Sequence, residues 1–373
     1  MANQALAAIV HEIGPAFASR SGESDRSGTF VSENYRTLKE RRLFSAGVPR
    51  ELGGGGASFA ELCEMLRSLA QYCPSTSLAL AMHTHCVGAA VWRHLHGMPA
   101  APLLASVAEA ERVLCTTGAS DWLASSGQAL RVEGGWRVTA RKRFASGLPA
   151  ADVIMTSAPA EIENEGQMVL HFAVRLDTPG VSVGTDWDTL GMRATGSQTL
   201  GLAEVFVPDA AVVVKRPRHK WDPAFNVIGP IAVPAILAVY VGMAEHAASL
   251  ARASAAERAG DEHLPYLLGE MENELLVAQL TYDECVRAVR NYDFMPEMER
   301  TNRAFMCKTI AAGALRRCLD HAVACSGGAA FYRKNPLERL WRDMQAVQFH
   351  PLQERQQLHF TGRLAMGLPP VVA

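Results

Sequence analysis

The spacing of apolar residues changes character twice along the chain. Up to about residue 110 it follows the helical period. In "FAELCEMLRSLAQYC", Phe59, Leu62, Leu66 and Leu69 fall on one face. "SENYRTLKERRLF" is made of helix formers, with Ser32 placed to cap it. Between these segments "ELGGGGAS", Glu51 to Ser58, carries a run of glycines. No Gly-Lys-Ser/Thr follows, so the run predicts a flexible turn rather than a phosphate loop.

From about 111 to 215 the period shortens to two. "RVLCTTGAS", "QALRVEGGWRVTARKRFASG", "DVIMTSA", "MVLHFAVRL", "GVSVGTDW" and "QTLGLAEVFVPD" are short, rich in Val and Thr, and punctuated by Gly, Pro and Asp. They predict strands, with Glu133-Gly134-Gly135 as a hairpin turn. No helices interleave, which excludes a dinucleotide-binding βαβ unit. Helical spacing then returns. "IAVPAILAVYVGMAEHAASLARASA" is a long helix of small residues. "LLGEMENELLVAQLTYDECVRAV" carries Leu268, Met271, Leu275, Ala278 and Tyr282 in one stripe. "NRAFMCKTIAAGALRRCLDHAVACSGG" is ended by Gly327-Gly328, and "PLERLWRDMQAVQFH" is opened by Pro336. A four-helix bundle buries four such stripes. The predicted fold is α+β: an N-terminal helical domain (1–110), a middle β-barrel-like or sandwich domain (111–215) and a C-terminal four-helix bundle (216–373).

Composition narrows the function classes. The chain has 373 residues, 49% hydrophobic and 20% charged, enough for one large or two to three modest cores. Its 36 basic and 38 acidic residues argue against a nucleic-acid binder working through a basic surface. The N-terminal "MANQALAAIVHEIGPAF" has no basic leader region and is too short to span a membrane. The eight cysteines form no CxxC pair and read as buried free thiols, with no metal site. A cytoplasmic protein is expected.

Three segments, in order, carry a resemblance. "KRFASG", "LGMRATGSQTLGLAEVFVPD", "GGAAFYRKNPLERLWRDMQA" with its Arg342-Asp343 pair, and the three-domain pattern around them resemble the acyl-CoA dehydrogenase superfamily over nearly the whole chain. The resemblance implies a flavin, FAD or FMN, between the β domain and the bundle. It implies that Cys115, Thr116 and Thr117 line one side of the ring, that Phe144 lies against a ring face, and that Ser146 bonds flavin N5. It also implies that Gly327 and Gly328 let backbone approach the cofactor, usually across a subunit interface, in a homotetramer or homodimer. Small residues permit such close contact, and donors near the ring tune its electronics.

The chain departs from the dehydrogenase pattern in two places. A dehydrogenase needs a carboxylate to take the α-proton of an acyl-CoA. Counting from Arg342-Asp343 leads to His350-Pro351 in "AVQFHPLQERQ", and the alternative family position falls near Ala232. Glu354 is three residues away from the expected place. The family's Arg-x-x-Phe-Gly segment is replaced by "AAERAGDEHLPY", which keeps only Arg258. Flavin taken up reduced from a separate reductase fits that loss. Both departures resemble the two-component flavin-dependent monooxygenases, which use a histidine at this helix end, a serine at N5, and often a histidine from the N-terminal domain. His350, Ser146, and His83 or His85 of "AMHTHC" match that set. Such residues keep a flavin C4a-hydroperoxide dry and control its protonation. Two apart on a helix, His83 and His85 cannot face one pocket together.

Three readings follow: a flavin monooxygenase acting on a small apolar or aromatic substrate, an acyl-CoA dehydrogenase with its base displaced to Glu354, and a non-catalytic member that keeps the fold.

Overall fold

The computed structural model describes residues 2–118, 121 and 123–371. Five helices open the chain: α1 (Ala2–Ser27), α2 (Ser32–Glu40), α3 (Phe59–Tyr72), α4 (Pro74–Leu95) and α5 (Ala101–Ala110). The predicted face of α3 is buried at all of Phe59, Leu62, Leu66 and Leu69. A capping box starts that helix: Ser58 Oγ accepts from Glu61 N–H, and Ser58 N–H donates to Glu61 Oε2 at 2.7 Å. Ser32, by contrast, does not cap α2. Tyr35 N–H already bonds the Val31 carbonyl, so Val31 is the cap residue and Ser32 is the first helical one. The glycine run forms turns, as expected.

Among the described residues, eight strands make two four-stranded sheets. They are β1 (Leu114–Thr116), β2 (Gln128–Val132), β3 (Gly135–Lys142), β4 (Val153–Ile162), β5 (Gly166–Arg175), β6 (Val181–Val183), β7 (Leu200–Pro208) and β8 (Val212–Pro217). The sheet orders are β1-β4-β5-β8 and β2-β3-β7-β6, with β1 parallel to β4. Alternate residues of β3 point into the interior, as the period-two pattern requires. The strand β8 was not among the predicted ones: its charged end "KRP" hides Arg216, which is fully buried.

Five helices close the chain: α6 (Phe225–Ala256), α7 (Leu264–Ala288), α8 (Met298–Ser326), α9 (Pro336–Met344) and α10 (Glu354–Ala365). The predicted fourth helix is therefore two pieces. It passes from α9 into a 3-10 turn, and His350 takes extended geometry (φ −66°, ψ 145°). Pro351 disfavours helix at the residue before it, which forces that break.

The helical ends of the chain share one hydrophobic core, and the sandwich has its own. Helix α6 is the axis of the shared core. It is long and apolar enough to cross a membrane, but 94% of its apolar window is buried inside the protein. Its small residues face α3, α4 and α8 of the same chain. At Gly242 a Cβ would lie 1.9 Å from the Arg67 carbonyl, so glycine is what allows α6 and α3 to touch. All eight cysteines are free, as expected.

Candidate functional site

Helix α4 runs through the interior next to β1, and its two histidines part ways. His83 is buried and its Nδ1 accepts from Leu114 N–H at 3.0 Å. Its Nε2 must then carry the proton, and it donates to the Phe44 carbonyl at 2.8 Å. Both ring nitrogens serve backbone. His85 donates from Nδ1 to the Ala81 carbonyl at 3.1 Å, and its Nε2 accepts from the Cys86 thiol at 3.8 Å. Burial lowers both imidazoles to a pKa of about 4.

Cys115, on β1, is buried and faces Ser146: its thiol donates to the Ser146 carbonyl at 3.4 Å. Of the neighbouring threonines, Thr116 is half-buried, whereas Thr117 is buried and shares a 2.7 Å hydrogen bond with Thr156 of β4. The loop after β3 holds Phe144 and Ser146. Two backbone bonds fasten it to the Thr195–Gln198 segment: Ala145 N–H to the Gln198 carbonyl (3.3 Å) and Gly147 N–H to the Thr195 carbonyl (2.9 Å). Ser146 Oγ lies 2.7 Å from Ser197 Oγ. Phe144 is 49% exposed and meets Trp187 in a T-shaped contact at 6.1 Å. Gly147 adopts φ +79°, which glycine tolerates, and a Cβ there would sit 3.1 Å from Tyr35 Oη.

His350 sits in the same neighbourhood. Its Nε2 is 2.8 Å from Tyr240 Oη, which comes from the core of α6. Burial, then the Lys308 ammonium and then His85, lower the His350 pKa to about 3. The electrostatic reach of His85 to His350 is what brings the two predicted histidines together. Lys308 is buried and donates to the Leu352 carbonyl at 3.0 Å; burial lowers it to about 8. Glu354 is exposed in the first turn of α10, lining a surface cleft with Thr309, Arg316 and Asp320. Asp343 lies behind the site, buried, accepting from Met192 N–H and raised by burial to about 7. Tyr240, Lys308, Ser197 and Asp343 were not assigned from sequence. A lone tyrosine in "AILAVYVGMA" was the available signal, because a buried phenol needs a partner.

Gly327 and Gly328 stand elsewhere. They follow α8, and 19 residues separate Lys308 from Gly327, about 28 Å along a helix axis. Arg258 is committed to its own chain's Cys325 carbonyl there. A Cβ at Gly328 would meet nothing, so the backbone is open to approach.

The side chains present suit a flavin. Ser146 offers a half-buried hydroxyl on an anchored loop, and Phe144 offers a half-exposed aromatic ring. Among the described residues the buried Tyr35 Oη, beside Gly147, has no hydrogen-bond partner, and neither has Ser326 Oγ at the distant Gly327 turn. Such orphans are uncommon without a ligand or water to satisfy them.

Fold and site together define an acyl-CoA dehydrogenase-type flavoprotein. The acyl-CoA dehydrogenase N-terminal domain matches residues 4–97 and the acyl-CoA dehydrogenase C-terminal domain matches residues 235–354. The chain belongs to the acyl-CoA dehydrogenase family. It is 27% identical to YdbM of Bacillus subtilis (strain 168), described as an acyl-CoA dehydrogenase, over 94% of this chain and 93% of that protein. It is also 27% identical to an amino sugar nitrososynthase of Streptomyces rubradiris, over 95% and 88%. A nitrososynthase from Micromonospora carbonacea var. africana superposes with a TM-score of 0.89 at 24% identity, over 98% of this chain and 97% of that one. FMN-bound TdsC from Paenibacillus sp. A11-2 superposes at 0.85 with 19% identity, over 98% and 99%. These likenesses establish the fold.

Proposed function

We propose that the protein is a flavin-dependent monooxygenase acting on a small molecule, with FMN or FAD taken up reduced from a separate reductase. The observation that carries this is the identity and setting of residue 350. Where a dehydrogenase needs a buried carboxylate, the chain holds a neutral histidine bonded to Tyr240, and Glu354 is exposed.

A reduced flavin supplies the electrons that activate oxygen for insertion of one atom into a substrate. The chain's own residues do the rest. Burial pushes the Tyr240 phenol up, so it stays protonated and donates to His350 Nε2. His350 then carries its proton at Nδ1, free for delivery to an oxygen atom. His85 Nε2 is a second acceptor close by. His83 holds α4 against β1 and Phe44, and we place it outside the proton chemistry. Ser146 would meet N5, Cys115 and Thr116 would flank the ring, and Phe144 would cover a face. Gly327 and Gly328 lie too far along α8 to reach the same ring, so in this reading they serve the cofactor of a partner subunit in a dimer or tetramer. The free cysteines suit a cytoplasmic setting.

The relatives' names span amino sugars, dibenzothiophene and indole-3-acetate, so the fold alone does not fix the substrate. The test is anaerobic loading with reduced FMN or FAD, then mixing with oxygen. Slow, delayed reoxidation relative to free flavin is expected, with faster peroxide release in His350→Ala. Bleaching of oxidised bound flavin by a fatty acyl-CoA, lost in Glu354→Gln, overturns the proposal in favour of the dehydrogenase.

A further inference from the structure

Ser146 does not stand alone; it is the outer end of a line of hydroxyls. Ser146 Oγ and Ser197 Oγ are 2.7 Å apart, and Ser197 Oγ and Thr195 Oγ1 are also 2.7 Å apart. Thr195 Oγ1 lies 2.9 Å from the Met192 carbonyl oxygen. Thr195 and Ser197 are buried, at 0% and 5% exposure, so no bulk water can reorder them.

The direction of the line follows from its inner end. A carbonyl oxygen only accepts, and two oxygens at 2.9 Å repel unless a hydrogen lies between them. The Thr195 hydrogen is therefore spent on Met192. That carbonyl also receives Trp187 Nε1–H at 3.1 Å and Thr195 N–H at 3.2 Å. The preceding peptide is held as well, since Met192 N–H donates to Asp343. With one hydrogen per hydroxyl, Ser197 must donate to Thr195 and Ser146 must donate to Ser197. Ser146 then shows only lone pairs to whatever occupies its half-buried side.

We infer that this chain of hydroxyls makes the site select reduced over oxidised flavin, with Ser197 and Thr195 as the positioning residues. The inference rests on the flavin reading above. Oxidised flavin has a bare acceptor at N5, and facing the Ser146 lone pairs it leaves two acceptors opposed. Reduced flavin carries N5–H, which donates to Ser146. The line ends on a carbonyl and not on a base or solvent, so it cannot carry that proton away. A protein that receives its flavin already reduced gains a filter against the oxidised form still free in solution.

The test compares dissociation constants of reduced and oxidised FMN, measured anaerobically by titration, with the bound midpoint potential as a second readout. The wild-type protein should bind reduced FMN about tenfold to a hundredfold tighter, the range set by one satisfied against one opposed buried hydrogen bond. Ser197→Ala frees the Ser146 hydrogen to face the ring. The preference should fall about tenfold, and the midpoint potential of bound FMN should drop by about 30 mV for this two-electron couple. Thr195→Val should act in the same direction, while Ser197→Thr and Thr195→Ser should restore the preference. Equal affinity of the wild type for both forms overturns the inference. So does an unchanged ratio in both disrupting variants, with unfolding temperature showing each is folded. Failure of the wild type to bind either form overturns the flavin reading itself, and this inference with it.

Discussion

Tyr240→Phe separates a working partner of His350 from a filler of the core. The substitution removes one oxygen and keeps the ring, which is fully buried in α6. If Tyr240 only fills space, phenylalanine suits that apolar setting, and stability should hold or rise. If its hydroxyl donates to His350 Nε2 at 2.8 Å, the change strands a nitrogen acceptor in a poorly solvated place, at a cost of about 1–2 kcal/mol. Unfolding entropy of about 2.1 cal/mol/K per residue over 373 residues converts the middle of that range to a fall of about 2 °C in Tm. The functional effect should be larger. Without the phenol, the imidazole proton is no longer fixed on Nδ1 and the ring can turn. A misplaced acid forfeits part of a contribution of about 10²- to 10⁴-fold, so peroxide release from the reduced FMN-loaded protein should quicken by about tenfold or more. The phenol O–H also stabilises the neutral imidazole, so its loss raises the His350 pKa from about 3. The acid limb of the peroxide-release profile should shift to higher pH. A variant at least as stable as the parent, with the same release rate and the same acid limb, refutes the reasoning.

Two other predictions concern the whole molecule. Burial lowers His83 and His85 to about 4, and lowers His171 and His350 to about 3, with Arg216 and Lys142 adding to His171. Folded values below the unfolded value of about 6.5 mean that the unfolded chain binds the protons. Stability is then full above that pH and is lost as pH falls toward 3–4, by about 2 kcal/mol per histidine at pH 5. Asp343, raised by burial to about 7, acts with the opposite sign and offsets about one histidine. Urea unfolding at pH 7.5 and 5.0 should show a net loss, and equal or greater stability at pH 5.0 contradicts the assignment. Assembly should depend on α7 and the turn after α8. Leu276 and Leu280 are exposed one turn apart, and Phe331 is 91% exposed. Light scattering should give a dimer or tetramer that Leu280→Lys or Phe331→Glu weakens; a monomeric wild type at micromolar concentration rules this out.

The elements were more readable than the site, for a physical reason. Periodicity compares residues up to one helical turn or two strand positions apart. That distance suffices for Leu62, Leu66 and Leu69, all buried as their spacing implies. It fails at β8, where Arg216 is buried because groups far away in sequence, including the Leu123 carbonyl, receive its guanidinium. The candidates with chemistry of their own, His350, Ser146 and His85, were proposed from residue type and from the family resemblance. The residues that set the direction of their protons could not be proposed in this way. Tyr240 stands 110 positions from His350, Ser197 stands 51 from Ser146, and Asp343 stands 151 from Met192.

The pair in "AMHTHC" shows what that missing information decides. The two histidines have the same type, the same helix, similar burial and the same lowered pKa of about 4. By composition or titration they are equivalent. They differ in how many ring nitrogens the backbone occupies. His83 has one carbonyl and one amide against it, so its tautomer is fixed and neither nitrogen can exchange a proton with a ligand. His85 spends one nitrogen on the backbone of its own helix, and the other meets only the Cys86 thiol, at 3.8 Å. The step of two residues along α4, which turns the second ring by about 200° from the first, sends one toward Phe44 and Leu114 and the other toward His350. A histidine is therefore a candidate for proton transfer here only if it has a nitrogen left over. Under the proposed function that count, rather than the pKa, assigns His85 and His350 to the reaction and His83 to the framework.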